Sequence, residues 1–105
     1  MVISSQDRMR AKLKSGDTNV RILLSHPMRS AREAKWLANG LPEEFIQDIR
    51  CWRNGIEVLT LKCGVATSAN PYFSFQLVGG QQGDVIAVRW VDNLGAKGKV
   101  ETIVS

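Results

Sequence analysis

An all-β, antiparallel sandwich of about seven strands, with one short helix in a connection, is what this 105-residue sequence predicts. Three observations lead there. Apolar and polar residues alternate with period two in seven separate segments; turn-forming residues stand between several of them; and the segments follow one another at the short spacing of an immunoglobulin-type sandwich. The length suits one core, so residues 1–105 read as a single domain.

The strand candidates are residues 9–13, 18–25, 45–53, 56–62, 72–78, 85–92 and 99–104. In the first, Arg8-Met9-Arg10-Ala11-Lys12-Leu13-Lys14, every second residue is cationic and those between are apolar. That is the pattern of a half-buried strand with a solvated basic face. Asn54-Gly55 joins the third and fourth candidates as a type I′ hairpin, since both central residues of that turn need positive φ. Gly79-Gly80-Gln81-Gln82-Gly83 is expected to close a hairpin between the fifth and sixth, and Asp92-Asn93-Leu94-Gly95 the last one. On the sixth candidate Ile86, Val88 and Trp90 share one face and are expected in the core.

One segment breaks the alternation. Ser30-Ala31-Arg32-Glu33 has the Ser-x-x-Glu form of a capping box, helix formers follow, and Asn39-Gly40 can cap the far end before Pro42. A helix over 31–38 is expected, with Trp36 and Leu37 packing its inner side.

Composition narrows the function classes. Hydrophobic residues make up 44% and charged residues 23%, near globular averages. The formal charge of +4 leaves acidic partners open. The aromatic platforms and basic recognition helix of nucleic-acid binders are missing, so no nucleic-acid partner is expected. The opening residues are too polar for the apolar stretch of a signal peptide, and no run reaches membrane-spanning length. Read from composition, that places the protein in the cytoplasm or makes its export depend on something else, and no membrane partner is expected.

His26 is the only histidine. A blue-copper site needs two imidazoles and a zinc cage several His and Cys, so neither a metal nor a cofactor is expected. Catalysis is not expected either: a Ser25–His26–Asp triad is not marked by any motif, and Glu43-Glu44 reads as a solvated strand entry. A cysteine-dependent enzyme built on Cys63 and His26 would require a depressed thiol pKa and a cleft joining the two. His26-Pro27 and Asn70-Pro71-Tyr72 are proline-fixed corners, serving either as structural bends or as rigid binding loops.

The two cysteines are not expected to bond to each other. A two-residue turn at Asn54-Gly55 pairs Arg53 with Ile56 and hence Cys51 with Val58. That puts Cys63 roughly 16 Å along the strand, beyond the roughly 7 Å that a disulfide tolerates between α-carbons. Cys51 alternates with Ile49 and reads as an inert core thiol, whereas Cys63, at a strand end, reads as more exposed.

An ordered set of short motifs points further. Leu23-Leu24-Ser25-His26-Pro27-Met28, Cys51 before Asn54-Gly55, Ser68-Ala69-Asn70-Pro71-Tyr72 with Phe73 and Phe75, and Trp90-Val91-Asp92 before Gly95 follow one another from about Gly16 onward. In this order they resemble the SoxZ family, the small subunit of the sulfur-carrier complex of bacterial thiosulfate oxidation. The resemblance implies an immunoglobulin-like sandwich without a catalytic centre, paired with SoxY, whose C-terminal tail carries the sulfur-bearing cysteine. It also implies a periplasmic complex, exported through SoxY's signal, that presents the loaded tail to other enzymes of the pathway. His26, Pro27, Met28, Asn70, Pro71 and Tyr72 are then the expected partner-contact residues. The basic residues of the first strand, or Arg29, Arg32 and Lys35, are expected to steer acidic partners or attract anionic sulfur species. Residues 29–37 depart from the family's Gly-containing charged loop. Cys63 stands where an ordinary residue is expected, which makes it a candidate for an intermolecular disulfide. A free-standing immunoglobulin-like binding or adhesion module explains the strands equally well, but leaves the ordered motifs unexplained.

Overall fold

The structure is a computed structural model that describes residues 7–26, 28, 44–63 and 70–105. Seven strands run in chain order: β1 (Arg8–Lys14), β2 (Asp17–Leu23), β3 (Ile46–Arg53), β4 (Ile56–Lys62), β5 (Tyr72–Leu77), β6 (Val85–Asp92) and β7 (Lys97–Ile103). They form two antiparallel sheets, ordered β1-β2-β5 and β4-β3-β6-β7. All seven lie on the segments that period-two alternation marks. The helix expected over 31–38 falls outside the described residues.

Between the sheets lies one core. Ala11, Val20, Ile22 and Leu77 come from the three-stranded sheet, and Ile46, Ile49, Cys51, Ile86, Val88 and Trp90 from the other. β2 shows the cause most simply: Thr18, Val20 and Ile22 are fully buried while Asn19, Arg21 and Leu23 face outward, as a pleated strand with one solvated face requires. β1 has the same form, its four cations exposed and Ala11 buried.

Two details differ from the simple alternation. β3 carries a register shift between Ile46 and Asp48 against β6, so Ile46 and Ile49, three residues apart, are both buried. A bulge inserts one residue and changes which side chains face the core. The β3–β4 hairpin does turn at Asn54-Gly55, both at positive φ (52° and 84°), and pairs Arg53 with Ile56. A second shift, between Cys51 and Trp52, then places Cys51 opposite Leu59 rather than the expected Val58. The conclusion about the cysteines stands, because Cys63 is still four residues beyond Leu59 and both thiols are free.

The glycine-rich segment at 79–83 also differs from expectation. It joins β5 to β6, which belong to different sheets, so it is a crossing between layers and not a hairpin. Its backbone is held from three sides: Asp17 Oδ1 accepts the Gly79 amide at 2.9 Å, the Thr18 hydroxyl donates to the Gly79 carbonyl at 2.8 Å, and the Gly83 amide donates to the Val104 carbonyl at 2.9 Å. A tight turn at Ser15-Gly16, both at positive φ (54° and 84°), closes β1 onto β2.

Beyond β7 the chain crosses back to β1. The Leu13 amide donates to the Ser105 carbonyl and the Ser105 amide to the Ala11 carbonyl, each at 3.1 Å, lacing the outer edge of β1 to the end of the other layer.

Candidate functional site

His26 follows the last residues of β2, and Asp92 ends β6 in the opposite sheet. Period two puts Asp92 on the inward face of β6, in line with Ile86, Val88 and Trp90. The two side chains meet at 3.0 Å between His26 Nε2 and Asp92 Oδ2, and both are sealed from solvent, at 2% and 1% exposure. The second ring nitrogen, Nδ1, accepts the Met28 backbone amide at 2.9 Å. An amide can only donate, so Nδ1 is the bare nitrogen and Nε2 carries the proton donated to Asp92; this tautomer follows from the hydrogen-bond network. Asp92 Oδ1 accepts the amides of Leu94 and Ala96, at 2.9 and 2.8 Å, so one carboxylate holds both the imidazole and the β6–β7 turn.

Trp90 extends the cluster. Its indole stands edge-on to the His26 ring, with centroids 5.3 Å apart, and donates to Asp7 Oδ2 at 3.0 Å. Asp7 Oδ1 in turn accepts the Ser25 amide at 2.7 Å. The indole can lie this way because its cross-strand partner is Gly98, where an added Cβ would come within 2.5 Å of the ring nitrogen. Sequence reasoning places Trp90 in the core, but not its polar partner: Asp7 is 83 residues away, and no local pattern joins the two.

The proline corners belong to the same structure. Asn70 donates its amide to the His26 carbonyl at 2.7 Å, and Asn70 Oδ1 accepts the His26 amide at 3.1 Å. The Pro71 carbonyl accepts the Leu24 amide at 3.0 Å, continuing the β2–β5 ladder beyond both strands. Met28 and Asn70 sit at positive φ, 48° and 50°, which fixes the sharp bends. Met28 turns inward, where its sulfur accepts the Ile46 amide at 3.3 Å.

Of the six expected partner-contact residues, then, His26, Met28 and Pro71 are buried, Asn70 and Tyr72 are exposed, and Pro27 lies outside the described residues. His26, Met28, Asn70 and Pro71 are brought together in one corner, with Tyr72 leading out of it onto the outer face of β5. Cys63 is half-buried, and its amide bonds to the Gln47 carbonyl.

The chemistry available here is limited by hydrogen bonds already made. Glu44 brings a carboxylate to His26 and Asp92, the three ligand atoms lying within 4.8 Å of one another. The spacing suits a cation, yet His26 has no lone pair left for one, and both Asp92 oxygens are engaged. The same commitments leave the imidazole no free nitrogen to offer a substrate hydroxyl or thiol. Burial, and then the neighbouring Asp48 carboxylate, raise the Cys63 thiol above its ordinary value. A nucleophilic cysteine needs the opposite shift. Burial pushes the Cys51 thiol up to about 11, Arg53 opposing weakly, in keeping with an inert core thiol.

Comparison with known proteins adds the family. No curated protein matches the chain. The family model described as "Sulphur oxidation protein SoxZ" matches residues 7–102, which take in β1 to β6, all but the last residue of β7, and the polar corner from Asp7 to Asp92. With the ordered motifs and nearly the whole chain in agreement, this protein belongs to the SoxZ family and has a role in sulfur oxidation.

Proposed function

We propose that the chain is the non-catalytic subunit of the SoxYZ sulfur carrier, supporting a SoxY partner whose C-terminal cysteine bears the sulfur intermediates during thiosulfate oxidation. The observation that carries this reading is the SoxZ match over residues 7–102. The geometry agrees with it: the one histidine is spent on joining two sheets, and both thiols are raised and therefore poor nucleophiles at neutral pH. Three strands against four, with connections that pass between the layers, suit the immunoglobulin-like type. The periplasm is the proposed compartment, reached together with SoxY.

In this role the protein contributes a rigid surface. The buried residues His26, Met28 and Pro71 set the corner from which Asn70 and Tyr72 reach solvent, so among the described members of the set only these two are open to a partner, be it SoxY or a visiting enzyme. A stable pairing with SoxY is expected to bury about 1,200 Å² or more. Co-expression with SoxY followed by size-exclusion chromatography tests the assignment. A co-eluting complex, and thiosulfate turnover in the reconstituted system that stops when this chain is omitted, are the expected results. A monomer indifferent to SoxY would return the chain to the free-standing binding module. Cys63 is proposed to bond to a partner thiol in the oxidising compartment. Non-reducing electrophoresis of the pair with Cys63→Ser reads this directly, and an unchanged band pattern rules it out.

A further inference from the structure

The outer face of the three-stranded sheet carries a row of exposed cations. Arg8, Arg10, Lys12 and Lys14 project from β1 and Arg21 from β2, all exposed. At about 6.8 Å between alternate residues, the four β1 cations span about 20 Å along one strand. Arg21 is the direct cross-strand partner of Arg10. Like charges placed opposite each other destabilise a sheet, so folding alone does not account for this pair.

The neighbouring carboxylates do not neutralise the face. Asp7 is buried and bound to Ser25 and Trp90. Asp17 is held by the Gln76 side chain and the Gly79 amide. Glu101, across the groove on β7, pairs with Lys99 at 3.4 Å. Among the described residues, none of the five cations forms an ion pair.

At one end of the face the character changes. Arg8, Leu23 and Tyr72 form a single row across β1, β2 and β5, with Leu23 40% and Tyr72 58% exposed. A groove of about 680 Å³ runs there, lined by Arg8, Arg10, Arg21, Leu23 and Tyr72 among others. An exposed aromatic beside arginines is the composition of a protein-binding hot spot.

We propose that this face docks the acidic surface of an enzyme that visits the carrier transiently, with Tyr72 and Leu23 as the apolar anchor and the five cations steering the approach. The proposal rests on the carrier reading and specifies which surface serves it. A permanent subunit would be expected to cover an apolar patch depleted in lysine, whereas this face is charged along most of its length. Single-stranded nucleic acid, the other polyanion to consider, stacks on several aromatic platforms, and here there is one, at the rim. Carboxylates set against Arg10 and Arg21 would turn their mutual repulsion into attraction. The arrangement therefore weakens the free sheet slightly and favours association.

The test uses the intact heterodimer of this chain with SoxY, carrying Arg10→Gln and Arg21→Gln, and measures its association rate with each purified enzyme that acts on the loaded carrier. For at least one enzyme the rate is expected to fall about tenfold at low salt, the difference closing near ~0.5 M salt. The melting temperature of the variant should hold or rise, since a repulsive pair is gone. Tyr72→Ala in the same assay should speed dissociation. Unchanged rates with every such enzyme would overturn the proposal while leaving the carrier reading intact. Loss of SoxY from the variant would make this the permanent interface and overturn it too, as would a melting temperature that falls together with the rates. Tighter binding of a single-stranded oligonucleotide than of any enzyme, abolished by the variant, would assign the face to nucleic acid instead. If the chain does not pair with SoxY at all, both readings fall.

Discussion

Gly98 sets the position of the Trp90 indole, and through it the hydrogen bond to Asp7. Gly98→Ala places a methyl group against the ring, so either the indole or β7 must move. A loss of about 2 kcal/mol is expected, the usual cost of overpacking combined with a strained buried hydrogen bond, and urea denaturation measures it. The thiols provide a second prediction at this scale. Because Cys63 is raised above its ordinary value, its alkylation rate should keep climbing through pH 9, where an unperturbed cysteine is levelling off, and Cys51 should label only on unfolding. Equal protection of the two sites in the native protein would contradict this. Linkage gives the sign for stability: the folded protein holds the Cys51 proton up to about 11 and the unfolded chain releases it near 9.0, so stability falls as pH rises between those values. Cys51→Ala should flatten that part of the profile. The inertness of Cys51 is legible in its alternation with Ile49. The joining of His26 to Asp92 is not, because 66 residues separate them and only the stacking of two sheets brings them together.

Among the elements, the strands are where sequence and structure agree most closely, and the reason is physical. Each strand has one core face and one wet face, so period two is written directly into residue type. The deviations arise where something other than alternation acts: the bulges in β3 and β4, and the glycine-rich crossing, whose turn chemistry looks the same whether it joins strands of one sheet or of two. The return of the chain to β1 is another such feature. Val104 is 2% exposed and exchanges backbone hydrogen bonds with Gly83 and Asp84, while Ser105 bonds to Ala11 and Leu13. Val104→Asp buries a carboxylate without a partner and is expected to cost at least about 3 kcal/mol. In hydrogen exchange the Leu13 amide should lose protection first, because its partner is Ser105 and not a neighbouring strand.

For the whole molecule, the distribution of charge matters more than its sum. A net +4 is modest, but five cations without an ion pair among the described residues share one sheet face, so the free protein carries a local repulsion that salt can screen. Its melting temperature should rise with ionic strength, and Arg21→Gln should remove part of that rise; a salt-independent melting curve would contradict the description of the face. The basic strand is legible in the sequence, whereas the contribution of Arg21 is not, because only the β1–β2 register sets it against Arg10. The sealed corner has a consequence for observing the molecule. Trp90 donates its indole proton to Asp7 and touches His26, groups that meet only when the two layers have closed. Its indole N–H resonance, well resolved in a proton spectrum, is thus a built-in gauge of layer closure. Followed through refolding, or while a partner binds the outer face, it would separate docking that leaves the sandwich shut from docking that opens it.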